Sequence, residues 1–264
     1  MKNIFSVLAI VGLLVGLGAH PTPVRAATSA LASLGSGDLV RGTSFSAVYY
    51  FGADGFRYVF PNDKTYFTWY ANFDTVKMIS DADLGTIQIG GNVTYKPGSR
   101  MVKINSDPKT YAVDETGSLR WVTSEAVAVA MFGSAWNTMI DDVPDAFFGN
   151  YRSGSDIEAT DDFVPADAAA DAKNINDDKG LKSATIVTIS DTAYNKTTYT
   201  IQRGTAVRFI NSGAASHTAT ADDESWGTGT MTNGQSFSRY FKTAGTWTFH
   251  CNYHSSMTAT IIVE

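Results

Sequence analysis

The sequence predicts a mainly β protein in two parts: a C-terminal Greek-key β-sandwich and an N-terminal α+β module made of two copies of one unit. Three observations carry this. From Ser183 onward, short runs rich in Val, Ile, Thr, Phe and Tyr alternate with Gly, Asn, Asp and Ser, the punctuation of an all-β sandwich. Between residues 39 and 155 a strand–turn–strand–helix pattern recurs with a period of roughly 60 residues. Between these parts, residues 156–182 are acidic and poor in large apolar side chains, as expected of a solvated linker.

At 264 residues, 44% of them hydrophobic and 17% charged, the chain is long enough for two packed domains. A formal charge of -6 and a pI near 5.2 argue against a general nucleic-acid binder, which needs a basic face to neutralise phosphates.

Residues 1–26 read as a signal peptide. Lys2 supplies the positive start, residues 4–17 the apolar run, and Val24-Arg25-Ala26 a small-residue cleavage site. The expected product is exported, to the periplasm or to the extracellular space or cell surface. No later stretch is apolar enough to span a bilayer, so no integral membrane domain is expected after signal removal. Residues 27–38, rich in Ala, Ser, Gly and Thr, read as a flexible leader.

The repeat is visible residue by residue. Leu39-Val40-Arg41 answers Met101-Val102-Lys103, and Gly55-Phe56-Arg57-Tyr58-Val59 answers Gly117-Ser118-Leu119-Arg120-Trp121-Val122. Each copy, within 39–155, is read as two short strands around a Gly-containing turn, followed by a helix. The second helix opens on Ser124 as N-cap; the first, around Pro61 to Tyr70, is aromatic and a weaker helix former. Two strands cannot bury a face alone, so the copies are expected to pack together. Tyr49, Tyr58, Trp69, Trp121, Trp136, Phe147 and Phe148 are read as core, with Arg57 and Arg120 in structural ion pairs. The sequence leaves the role of this module open, a cell-surface contact being the one it suggests.

Chemistry concentrates near the C-terminus. Cys251 is the only cysteine, which excludes an internal disulfide and leaves a reactive thiol, intermolecular pairing or a metal. His254 follows three positions on, and Met257 three beyond that. A thiolate, an imidazole and a thioether on one short loop are soft donors that suit copper, and a Cys/His/His set with a weak Met is a blue-copper pattern. The second histidine available is His217, after the loop that follows residues 205–211. Zinc also takes Cys and His, but a methionine adds little to a zinc site. In the strand leading to the cysteine, Trp247, Phe249 and Cys251 fall on one face and Thr246, Thr248 and His250 on the other, which places the sulfur against the core.

The segment 244–257, Ala-Gly-Thr-Trp-Thr-Phe-His-Cys-Asn-Tyr-His-Ser-Ser-Met, with Ile261-Ile262-Val263-Glu264 closing the chain, resembles the small type 1 (blue) copper proteins of the cupredoxin family. It is most similar to the amicyanin and plastocyanin branch, over residues 183–264. The resemblance implies one type 1 copper per chain, bound by His217 and His254 through Nδ1, by the Cys251 thiolate and by Met257 as a weak axial ligand. It also implies single-electron transfer between redox protein partners, with no catalytic residues; copper trafficking or storage, or a cell-surface binding protein with a non-catalytic cupredoxin domain, is the alternative. An asparagine that follows the first histidine in that branch and braces the cysteine loop is here Thr218, whose hydroxyl is expected to do part of that work. His250 occupies the position that binds a further copper in nitrite reductases. With His217 and His254 assigned, too few histidines remain for such a centre, and His250 is read as a surface residue.

Overall fold

The structure is a computed structural model, and it describes residues 31–264. The expected signal peptide, 1–26, and residues 27–30 of the leader lie outside the described residues.

Each repeat proves to hold five strands and two helices. The first comprises β1 (Leu39–Arg41), β2 (Val48–Phe51), β3 (Arg57–Val59), α1 (Asp63–Trp69), β4 (Val76–Met78), α2 (Asp81–Thr86) and β5 (Ile89–Asn92). The second comprises β6 (Met101–Ile104), β7 (Asp107–Val113), β8 (Ser118–Trp121), α3 (Glu125–Phe132), β9 (Ile140–Asp142), α4 (Asp145–Phe148) and β10 (Arg152–Ser153), with a 3-10 turn at Trp136–Met139. In both, three strands form an antiparallel meander and a short parallel strand is added at each edge, giving the orders β4-β1-β2-β3-β5 and β9-β6-β7-β8-β10. The expectation of two strands per copy therefore falls short. The weak helix former α1 is secured by Asn62, whose side chain accepts the Thr65 N–H at 2.8 Å, and Ser124 caps α3 as its sequence suggests.

The repeats pack together. Lys64 of the first repeat and Arg100 both reach the buried carboxylate of Asp141 in the second. Arg57 lies over the Tyr49 ring, and Arg120 donates to the carbonyls of Ser155 and Asp162. Ring and carbonyl contacts thus stand where ion pairs were expected.

Two further expectations are corrected. Within the leader, Leu31 and Leu34 are buried beside Val40, Phe51 and Ile79. Residues 156–182 are not a solvated tether either. They carry α5 (Pro165–Asp171) and α6 (Ile175–Asp178); Ile157, Phe163 and Ala168 enter the core of the second repeat, and Ile175 that of the first. Single apolar residues among many acids are enough to dock the segment, because the acids work locally: Asp162 accepts the N–H groups of Glu158 and Ala159.

The C-terminal part contains β11 (Thr185–Ile189), β12 (Thr198–Ile201), β13 (Thr205–Asn211), β14 (Thr220–Ala221), β15 (Ser236–Phe241), β16 (Gly245–Cys251) and β17 (His254–Val263). The chain alternates between a three-stranded sheet, β11-β13-β15, and a four-stranded sheet, β12-β17-β16-β14. Val187, Val207, Phe209, Phe249, Ile261 and their neighbours fill the space between.

The outer face of the smaller sheet is covered by the first repeat. Tyr240 stacks on Phe56, Arg208 lies over the Phe51 ring, and the Ser238 hydroxyl donates to the Gly55 carbonyl at 3.0 Å. Gly55 has φ +80, and a Cβ there would meet Ser238 Oγ at 2.5 Å, so this approach requires glycine. At the centre, Asp54 is fully buried and accepts hydrogen bonds from the Tyr58 and Tyr240 hydroxyls and the Phe56 N–H. Burial, reinforced by that carboxylate, holds both phenols above their ordinary values, Tyr240 at about 12, so they remain neutral donors. Among the described residues no helix is long and apolar enough to cross a membrane.

Asp54→Ala leaves two buried hydroxyls without their acceptor and is expected to cost about 2–4 kcal/mol. Urea unfolding followed by tryptophan fluorescence measures this, and a loss under about 1 kcal/mol would contradict the assigned role. A second expectation concerns Asp178, which burial pushes up from 3.8 to about 6 and whose Oδ1 has no hydrogen-bond partner among the described residues. A carboxyl raised in the folded state stabilises the fold when protonated, and that contribution fades as pH rises from about 4 to about 6. Asp178→Asn should therefore raise the melting temperature at pH 7 and flatten its dependence across this window, an effect of up to about 3 kcal/mol.

Candidate metal centre

The local fold around Cys251 follows from strand alternation. In β16, Phe249 and Cys251 are fully buried while Thr246 and Thr248 face solvent. The chain then reverses over Asn252 and Tyr253, so that His254 pairs directly with Cys251 at the start of β17. This tight reversal is why β17 begins several residues before the run that sequence pattern marks, 258–263. Met257 turns inward and is buried with Ala259, Ile261 and Val263 on one face.

His217 arrives from the loop after β13. Its backbone exchanges both hydrogen bonds with Met231, at 3.0 and 2.9 Å, and its side chain is fully buried. The Nδ1 atoms of His217 and His254 lie 3.7 and 3.8 Å from Cys251 Sγ, and the donor atoms of the three residues lie within 4.8 Å of one another. Two donors sharing one d-block ion, with bonds of about 2.0 Å to nitrogen and about 2.3 Å to sulfur at about 120°, sit about 3.7 Å apart. The cluster therefore has the spacing of a ligand set, and its donor types fit copper. Sequence reasoning named all three residues, and the structure brings them together, with Met257 buried in the same core.

Thr218 takes up the bracing role expected of it. Its N–H points at Cys251 Sγ at 3.4 Å, and its hydroxyl accepts the Asn252 N–H at 2.9 Å. The Tyr194 hydroxyl, which burial keeps neutral, donates to the Thr218 carbonyl at 2.7 Å. His250 faces away from the cluster and pairs with Asp222 at 2.6 Å, a surface position as expected.

Two residues escaped sequence reasoning. Tyr194 props the Thr218 carbonyl, and Asp191 Oδ1 lies 3.4 Å from His217 Nε2. Backbone N–H groups of Ala215 and Ala214 hold the Asp191 carboxyl below its ordinary value. Both residues follow β11, more than twenty positions before His217, and no local spacing marks them.

Thr218→Val removes the hydroxyl that accepts from the Asn252 N–H and the Thr220 hydroxyl, and leaves the backbone bonds of residue 218 in place. We expect the variant to lose about 1–2 kcal/mol of stability, with the N–H to Sγ contact retained. Denaturant titration measures the first, and the visible spectrum of the copper-loaded protein reports the second.

Residues 181–264 match the model of the copper binding proteins of the plastocyanin/azurin family. A comparison with curated proteins returns no match. Among solved structures the chain is similar to an oxidised amicyanin variant at 26% identity, covering 31% of this chain and 82% of that one, with a TM-score of 0.29. A reduced amicyanin variant gives 29% identity over the same shares with a TM-score of 0.29. A purple cupredoxin from Nitrosopumilus maritimus gives 17% identity, over 30% of this chain and 99% of that one, also with a TM-score of 0.29. On the family match and the donor set it contains, residues 181–264 form a copper-binding domain of the cupredoxin family.

Proposed function

We propose that this is an exported type 1 copper protein that carries single electrons between redox protein partners. His217 and His254 would hold the metal through Nδ1, Cys251 through its thiolate, and Met257 weakly through its thioether. When bound, copper supplies a one-electron Cu(I)/Cu(II) couple. The observation that carries the reading is the fully buried Cys251 sulfur set between two imidazole nitrogens.

The residues themselves supply the rest. Backbone pairing fixes His217 to Met231 and Cys251 to His254, so the main chain at these positions is firmly held. A firmly held main chain limits rearrangement between oxidation states. The buried sulfur is shielded from water and from other thiols, which favours retention over the ligand exchange that trafficking needs. His254 is only partly buried and sits between exposed Tyr253 and exposed Ser255 and Ser256, so it offers the edge a partner can approach. The role is non-catalytic in this reading. Export rests on residues 1–26. Residues 39–155 would serve as a mount fixed to the outer face of the sandwich, and 156–182 as the packed segment joining it to 183–264.

Copper loading of the wild-type protein should give an intense visible thiolate-to-copper band that Cys251→Ser abolishes. Voltammetry should show a reversible one-electron wave. A colourless protein that purifies with zinc and resists copper exchange would sink the proposal.

A further inference from the structure

We propose that Asp191 is a positioning residue for the copper centre: its carboxylate, set against the far edge of His217, orients that imidazole and favours Cu(II) over Cu(I). The inference rests on the assignment of His217 as a ligand.

The His217 ring spans two groups. Its Nδ1 faces Cys251 Sγ at 3.7 Å, and its Nε2 lies 3.4 Å from Asp191 Oδ1. The carboxylate is held in place by its own partners. Oδ1 accepts the Ala215 N–H at 2.8 Å, and the loop that carries His217 folds so closely over it that a Cβ at Gly213 would sit 2.3 Å from that oxygen. Ser212 and Gly213 also donate backbone N–H bonds to the Ile189 carbonyl, tying the loop to the end of β11 beside Asp191. The His217 side chain is itself fully buried, whereas that of Asp191 is 51% exposed. A full negative charge therefore ends a ring that has no other contact with solvent.

A metal-bound imidazole that donates its other N–H to a carboxylate has its tautomer and orientation fixed and becomes a more basic ligand. Cu(II) carries one more positive charge than Cu(I), so a nearby carboxylate stabilises it more. Solvent around the half-exposed carboxylate screens this effect and keeps it moderate.

Asp191→Asn keeps the shape and an acceptor oxygen and removes the charge. Cu(II) affinity should fall about tenfold relative to Cu(I) affinity, equivalent to a reduction potential about 59 mV higher. Chelator competition on the full chain, with each copper ion in turn, reads the ratio directly, and voltammetry reads the potential. Asp191→Ser, which also removes the charge, should shift the ratio the same way; Asp191→Glu, which keeps it, should shift it less. A ratio unchanged in both charge-free variants, or shifted equally in Asp191→Glu, overturns the proposal. Failure of the electron-carrier reading would show separately, as a missing visible band or wave in the wild type, because the affinity ratio does not depend on colour.

Discussion

A sulfur that is to bind a redox metal has to sit out of water yet within reach of donors from elsewhere in the chain, and the C-terminal sandwich is arranged around that requirement. Cys251 occupies the last position of β16 with its side chain in the core. Because side chains alternate along a strand, a slip of one residue would turn the sulfur out and drive His250 inward. The register is held by the pairing of β16 with β17 and by the apolar wall of Phe249, Tyr194, Phe209 and Trp226 behind it. The backbone register thus sets the strand positions of Cys251 and His254.

The same two-faced use of a strand joins the domains. Val207 and Phe209 of β13 point into the sandwich, while Ala206 and Arg208 meet the first repeat. In β15, Phe241 faces inward and Tyr240 outward, onto Phe56 and Asp54. Taken alone, the sandwich would expose Tyr240 and Ala206 to water, and Asp54 of the first repeat would lose one of its two phenol donors. Each part completes the other, which makes the copper-binding domain and its neighbour a packed pair.

What was legible in the sequence was local. Cys251, His254 and Met257 lie within seven consecutive residues, and strand alternation states which side chains point inward. The repeat was legible because its turns and first strands recur, but its edge strands were not. Strands β4, β5, β9 and β10 are two to four residues long, and each pairs in parallel with a partner far away in sequence. So short a segment carries no period of its own. Residues 156–182 were misread for a related reason: Ile157, Phe163 and Ile175 each dock alone, and composition averaged over the segment hides them. Asp191 was invisible because it meets His217 only when β11 and β13 lie side by side.

The two imidazoles at the centre are consequently unlike. That of His254 lies on a hairpin whose neighbours are exposed, and the first repeat, docked on the opposite sheet, contributes none of the residues beside it. That of His217 is sealed, with Cys251 at one edge and Asp191 at the other. A partly exposed ring could meet a partner, but its electrostatic surroundings would change whenever one docked. A fully buried ring cannot meet a partner itself. Under the proposed electron-transfer role, contact and tuning are best served by different histidines, and the fold places the Asp191 carboxylate, itself half-exposed, at the imidazole that solvent does not reach.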